Sequence, residues 1–175
     1  MKSLPDQLDE YRQQHSEKPN QLAHYIGIPA IVIGALILLS WISISIAGKW
    51  HISFAWIAVI ALLIYYYFLN FKMAVVMTVV LFIVTLICTW IAYPTPTKFN
   101  LILFLILFIG GWVLQFLGHT LEKAKPPLLG NMASVLIAPL FVVAEFIVML
   151  GFGKYFDLEK PTTKSKNNHH SNNTH

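Results

Sequence analysis

A single cysteine, Cys88, stands in the whole chain, and it lies inside an apolar run. Neither a disulfide framework nor a thiolate cluster can be built from it, so any bound metal must draw on His, Glu or Asp. Charge is scarce as well: 11% of residues are charged against 57% hydrophobic, and the mean hydropathy is +0.64. So little polar surface cannot cover a soluble globule of 175 residues, and the composition is that of an integral membrane protein. Residues 1–25 are polar and of mixed charge, without the basic start, short apolar core and small-residue cleavage site of a secretory signal, so the amino terminus is expected to be mature sequence. The formal charge of +4 comes from lysines scattered through loops and tail, the usual decoration of membrane-protein ends. No fold signature of nucleic-acid recognition accompanies it, and no nucleic-acid partner is expected.

The expected fold class is all-α: a polytopic membrane helical bundle of four to five transmembrane helices plus an N-terminal amphipathic helix. It forms one membrane domain over residues 1–159, followed by a disordered Lys, Asn, Ser, Thr and His tail over 160–175. In the polar segment 1–25, Leu4, Leu8 and Tyr11 fall near a helical repeat and predict a short amphipathic surface helix ending about His15. Pro19 disfavours a helical Lys18, and Asn20 suits an N-cap, so a second helix is expected from about Gln21 with His24 in its first turn. Apolar segments follow at about 26–46, 52–69, 73–93, 99–117 and 128–152, each tested against the roughly 20 residues a bilayer requires. Asn70-Phe71-Lys72 marks a tight helical hairpin, and Pro94-Thr95-Pro96 a turn. Pro139 interrupts the last segment and Glu145 puts a costly carboxylate in it, so it is either a kinked fifth span or a re-entrant pair of half-helices. With five spans the 12 Lys and Arg divide evenly between the two sides; with four, all but Lys49 and Lys98 fall on the side of the amino terminus. The positive-inside rule therefore favours four crossings with both ends cytoplasmic.

Four crossings return the chain to its starting side before Gly118-His119-Thr120-Leu121-Glu122, so His15, His24 and His119 share one face and His51 exits on the other. His119 and Glu122, three positions apart, share a helix face if the helix continues past Gly118. His15 and His24 are nine positions apart, about half a turn out of phase on one unbroken helix, so they can share an ion only across a break such as Pro19-Asn20. Three imidazoles and a carboxylate suit Fe(II) or Zn(II) and not calcium or magnesium. The bland alternatives stand beside this. A lone interfacial His is usually an amphipathic residue with its tip in water, and His169, His170 and His175 are solvated tail residues or adventitious metal binders. Lys123 and Lys125 read first as topological lysines, Asn131 as a helix cap, and Gln115 as an interhelical hydrogen bonder.

The block His15-Ser-Glu-Lys-Pro-Asn20-Gln-Leu-Ala-His24-Tyr-Ile-Gly27-Ile-Pro29 is followed by Trp112-Val-Leu-Gln115-Phe-Leu-Gly118-His119, then Glu122-Lys123, Pro126, Asn131, Ala138-Pro139-Leu-Phe141 and Glu145. Together, and in order over nearly the whole chain, these resemble the membrane 2-hydroxy fatty acid dioxygenases of fatty acid α-oxidation. The resemblance implies an Fe(2+) cofactor bound by histidines that match His15, His24 and His119, which are the catalytic candidates. Members of that family place two or three residues between the last histidine and its glutamate; here there are two, and Glu122, or else Glu145, would complete the metal sphere. Asn20, Gln115, Lys123, Asn131 and Glu145 are supporting candidates. The implied partners are a 2-hydroxy fatty acid, O2 and the lipid bilayer, with the site on the cytoplasmic face of a bacterial inner membrane or the endoplasmic reticulum.

An electron count agrees without the family, since a 2-hydroxy acid plus O2 balances to an acid one carbon shorter, CO2 and water, with no further reductant. Three competitors are weighed against this. A di-iron hydroxylase needs about twice as many clustered histidines. A bis-histidine haem protein would use His24 and His119, and a small membrane transporter or scaffold would use Pro139 and Glu145 as pathway features.

Overall fold

Among the described residues, helical periodicity and caps give six helices and one small hairpin. The computed structural model describes residues 3–14, 18–46, 50–93, 96–122 and 132–158. The helices are α1 (Leu4–Gln14), α2 (Lys18–Ser40), α3 (Phe54–Leu69), α4 (Phe71–Ala92), α5 (Lys98–Glu122) and α6 (Met132–Met149), with strands β1 (Ser43–Ile46) and β2 (Trp50–Ser53) between α2 and α3. The expected polar tail, 160–175, lies outside the described residues.

Among the described residues, three helices are long and apolar enough to cross a membrane: α2 with 23 residues, α4 with 22, and the 23-residue stretch Lys98–Thr120 of α5. Two more segments expected as spans are shorter apolar helices, α3 and the stretch Ser134–Met149 of α6. At 1.5 Å per residue a helix of 16 residues, the length of α3, covers about 24 Å, less than a hydrocarbon core of about 30 Å. The described part of segment 128–152 forms the helix α6, with Pro139 inside it.

Two boundaries differ from the expectation. Helix α2 begins at Lys18, so Asn20 is not its cap but a wholly buried residue of its first turn. Pro19 is accommodated there because first-turn amides have no intrahelical acceptor to lose. At the other end, the apolar run 26–46 is not one helix: α2 stops at Ser40 and Ser43–Ile46 forms β1. Alternation of isoleucine and serine has a period of two, and it pairs β1 antiparallel to β2, Ser43 opposite Ser53 and Ile46 opposite Trp50. His51 lies in β2, at the end of α2 remote from His24.

The caps set the remaining turns. Asn70 joins α3 to α4 as an N-cap whose side chain accepts from the Met73 amide at 3.0 Å. Thr97 and Asn100 cap α5 reciprocally, the Thr97 amide donating to Asn100 Oδ1 at 2.6 Å and the Asn100 amide to Thr97 Oγ1 at 3.3 Å.

The contact that positions the site is an antiparallel seam between α2 and α5. Gly118 lies on Asn20 and Ala23, Gly111 on Gly27 and Ile31, and Gly34 on Phe108. A Cβ on Gly118 would stand 2.5 Å from Asn20 Oδ1, and one on Gly111 would stand 2.9 Å from the Gly27 carbonyl oxygen. Small residues here allow the backbones to approach, and close packing replaces the hydrophobic drive that lipid does not supply.

Helix α1 turns Leu4, Leu8 and Tyr11 onto the bundle, where all three are buried, and Tyr11 stacks on Phe141 of α6 with centroids 4.2 Å apart. The same helix is tied to α6 by Arg12, whose Nε donates to Glu145 Oε1 at 2.6 Å. Beyond α6 the chain turns back at Gly151, whose φ of 84° favours glycine. It is then pinned to the start of α4, Lys72 Nζ donating to the Tyr155 carbonyl at 2.7 Å and to Asp157 Oδ2 at 2.9 Å.

Candidate active site

His24 stands one helical turn after Asn20, and its Nδ1 lies 2.8 Å from the Asn20 carbonyl oxygen. A carbonyl only accepts, so Nδ1 carries the hydrogen and Nε2 keeps its lone pair. His119 sits near the end of α5, directly after Gly118. Because Gly118 admits the backbone of α2, the two rings meet, with centroids 4.9 Å apart and planes at 87°. Both are buried, His24 to 1% and His119 to 3% exposure.

Two imidazoles are donors of the kind that a transition metal takes. With a metal–nitrogen distance of about 2.1 Å, two imidazoles on adjacent positions of one ion have centroids about 5 Å apart. Two axial imidazoles on opposite faces of a haem iron would instead be separated by about 6–7 Å. The observed 4.9 Å is close to the first value and short of the second, and it is also the spacing of two rings packed edge to face.

The other sequence candidates fall as follows. His15, Lys123 and Asn131 lie outside the described residues, as does the side chain of Glu122, the last residue of α5. Among the described residues no group of three or more His, Cys, Asp or Glu side chains stands close enough to hold an ion. Asn20 is buried beneath the imidazole pair and orients His24 through its carbonyl. Glu145 takes the guanidinium of Arg12 and links α6 to α1. Gln115 is one turn before His119 on α5, buried to 6% exposure.

His119 and Gln115 border a cavity of about 150 Å³. Its polar rim comes from His119, Gln115, Tyr11 and Ser134, and its walls are apolar side chains of α2, α5 and α6, from Ile28 down to Ala35 along α2. Tyr11 was visible in the sequence only as one apolar position of α1. It also packs edge-on against His24, with centroids 6.2 Å apart. Burial raises its hydroxyl well above the ordinary value of 10.0, so Tyr11 stays protonated.

A family model described as 2-hydroxy-palmitic acid dioxygenase Mpo1-like matches residues 1–150. The chain belongs to this Mpo1-like family. Over 153 residues, covering 85% of this chain and 82% of the relative, the Mpo1-like protein is 31% identical to the 2-hydroxy-palmitic acid dioxygenase MPO1 of Saccharomyces cerevisiae. No solved structure matches it.

Proposed function

We propose that this Mpo1-like protein is a membrane-embedded, non-haem Fe(2+) dioxygenase that shortens 2-hydroxy long-chain fatty acids by one carbon. The observation that carries this reading is the buried pair His24 and His119, of which His119 lines a largely apolar cavity. The name of the yeast relative supplies the substrate class. In the reaction the C1–C2 bond breaks, C1 leaves as CO2, C2 is oxidised from alcohol to carboxylic acid, and one O2 is reduced with formation of one water.

Bound iron would supply a template for the hydroxy acid and a redox centre for dioxygen. The remaining tasks fall to the chain. His24 and His119 hold the ion, with His15 and Glu122 as the further donors, and the Asn20 carbonyl keeps His24 in the ligating tautomer. The apolar walls exclude water and receive the start of the acyl chain. At about 150 Å³ the cavity is smaller than the roughly 300–1,000 Å³ of sites that enclose a drug-sized ligand, so the far part of the chain lies among lipids. Lys123 would attract the carboxylate.

The same reading places the site on the cytoplasmic face of a multi-pass protein, in a bacterial inner membrane or the endoplasmic reticulum. Contacts of α6 support four crossings over five. Ala138 and Ala35 line one cavity in the interior, yet the residues after α6 bond to Lys72 and Asn70 at the start of α4.

The test is purified protein assayed for iron content and for CO2 release from 2-hydroxy-palmitic acid, with and without O2. Substoichiometric iron, or equal CO2 release without O2, would end the dioxygenase reading. So would retention of both iron and activity after His15, His24 and His119 are each replaced by Ala.

A further inference from the structure

The cavity contains one polar group that neither the fold nor the ion pair Arg12–Glu145 uses. Gln115 is buried to 6% exposure, and among the described residues its Nε2 has no hydrogen-bond partner. A buried amide without a partner costs stability, so native proteins seldom keep one that nothing ever satisfies. Among the described residues Gln115 makes no interhelical bond, the ordinary role of a glutamine in a membrane helix. Nε2 instead faces Gly27, where a Cβ would stand 2.9 Å away, so α2 leaves room for the amide without bonding it. A half-turn about the terminal side-chain bond exchanges amide oxygen and nitrogen at little cost, and Gln115 is among the residues that line the cavity.

Depth identifies what the amide would meet. Gln115 lies one turn nearer the middle of α5 than His119, on the same helix face. An acid whose carboxylate lies at His119 and whose chain points inward carries its C2 substituent at the next level down. We propose that Gln115 reads the 2-hydroxyl of the substrate: its amide donates to, or accepts from, that hydroxyl and selects hydroxy acids over plain fatty acids. This rests on the dioxygenase reading and adds a specificity-determining residue to it.

The experiment uses iron-loaded, full-length protein in lipid nanodiscs without O2, so that binding is read without turnover. 2-Hydroxy-palmitic acid and palmitic acid are titrated into the wild type and Gln115→Met, and the ligand-free melting temperature of each is recorded. The wild type should prefer the hydroxy acid by about tenfold or more, the scale of one hydrogen bond between buried groups. Gln115→Met should lose that preference by weakening the hydroxy acid alone, while its ligand-free form melts at the same or a higher temperature, because an unsatisfied amide has been replaced by an apolar group of similar length. A Met variant that still discriminates overturns the assignment. So does one that melts lower and loses both ligands equally, which is the signature of a structural glutamine. Failure of the wild type to bind or convert the hydroxy acid is a separate result and overturns the dioxygenase reading itself.

Discussion

Arg12 donates to Glu145 across 2.6 Å, joining α1 to α6 beside the residue, Tyr11, that borders the cavity. Both side chains are only partly exposed, so the pair is screened less than a surface bridge. A double-mutant cycle with Arg12→Ala and Glu145→Gln should give a coupling of about 1–2 kcal/mol, between the values for exposed pairs and for buried hydrogen bonds to charged groups. Denaturant unfolding in detergent measures it. Strictly additive effects would mean that the bridge does not hold α1 down.

Glycine placement allows a paired test of the α2–α5 seam. A Cβ at Gly118 meets Asn20 Oδ1 at 2.5 Å and Ala23 at 3.0 Å, whereas one at Gly110 meets nothing within 4 Å. Gly110→Ala should therefore stabilise by about 0.5–1 kcal/mol through helix propensity. Gly118→Ala should destabilise by about 1–3 kcal/mol by overpacking. It should also weaken metal binding, because the wedge separates His24 from His119. Thermal melts and metal titration of both variants check this; equal behaviour of the two would dismiss the seam.

The helix caps at Asn70 and Asn100 lie where local spacing and the prolines placed the turns, since a cap is decided within four residues. The expectation that His24 and His119 share a face rests on counting four crossings, and their rings do meet, with centroids 4.9 Å apart. Features decided by distant partners stayed hidden. Glu145 looked like a costly lone carboxylate or a ligand because its partner Arg12 is 133 residues away. The seam needs Gly118 and Asn20 to face each other, which neither helix displays alone. The β-hairpin was concealed because Ile42-Ser43-Ile44-Ser45-Ile46 counts as apolar by composition while its period is two. His15 and the Glu122 side chain, the further donors proposed, lie outside the described residues.

Burial of Tyr11 implies an alkaline limit with a definite sign. Its hydroxyl is held above the ordinary value of 10.0, so the folded protein keeps a proton that the unfolded chain releases. Below about pH 10 both states are protonated and this group adds no pH dependence; above it, stability falls as pH rises toward the folded value. Melting curves between pH 8 and 11 should show a shallower alkaline decline for Tyr11→Phe than for the wild type. Parallel declines would show that the hydroxyl reaches solvent.

The two imidazoles should act as one unit toward a divalent ion. If His24 and His119 share a metal, Fe(2+), or Co(2+) as a spectroscopic substitute, stabilises the folded protein by about 2.7 kcal/mol at one hundred times its dissociation constant, and a chelator reverses this. His24→Ala and His119→Ala should each remove nearly all of that gain, and the double variant little more, because an ion deprived of one of two neighbouring ligands keeps only a fraction of its affinity. Losses that add independently would instead describe two separate histidines in edge-to-face packing. The 4.9 Å spacing is compatible with both arrangements, so metal-dependent melting of these three variants is the measurement that separates a metal centre from a packed pair of rings.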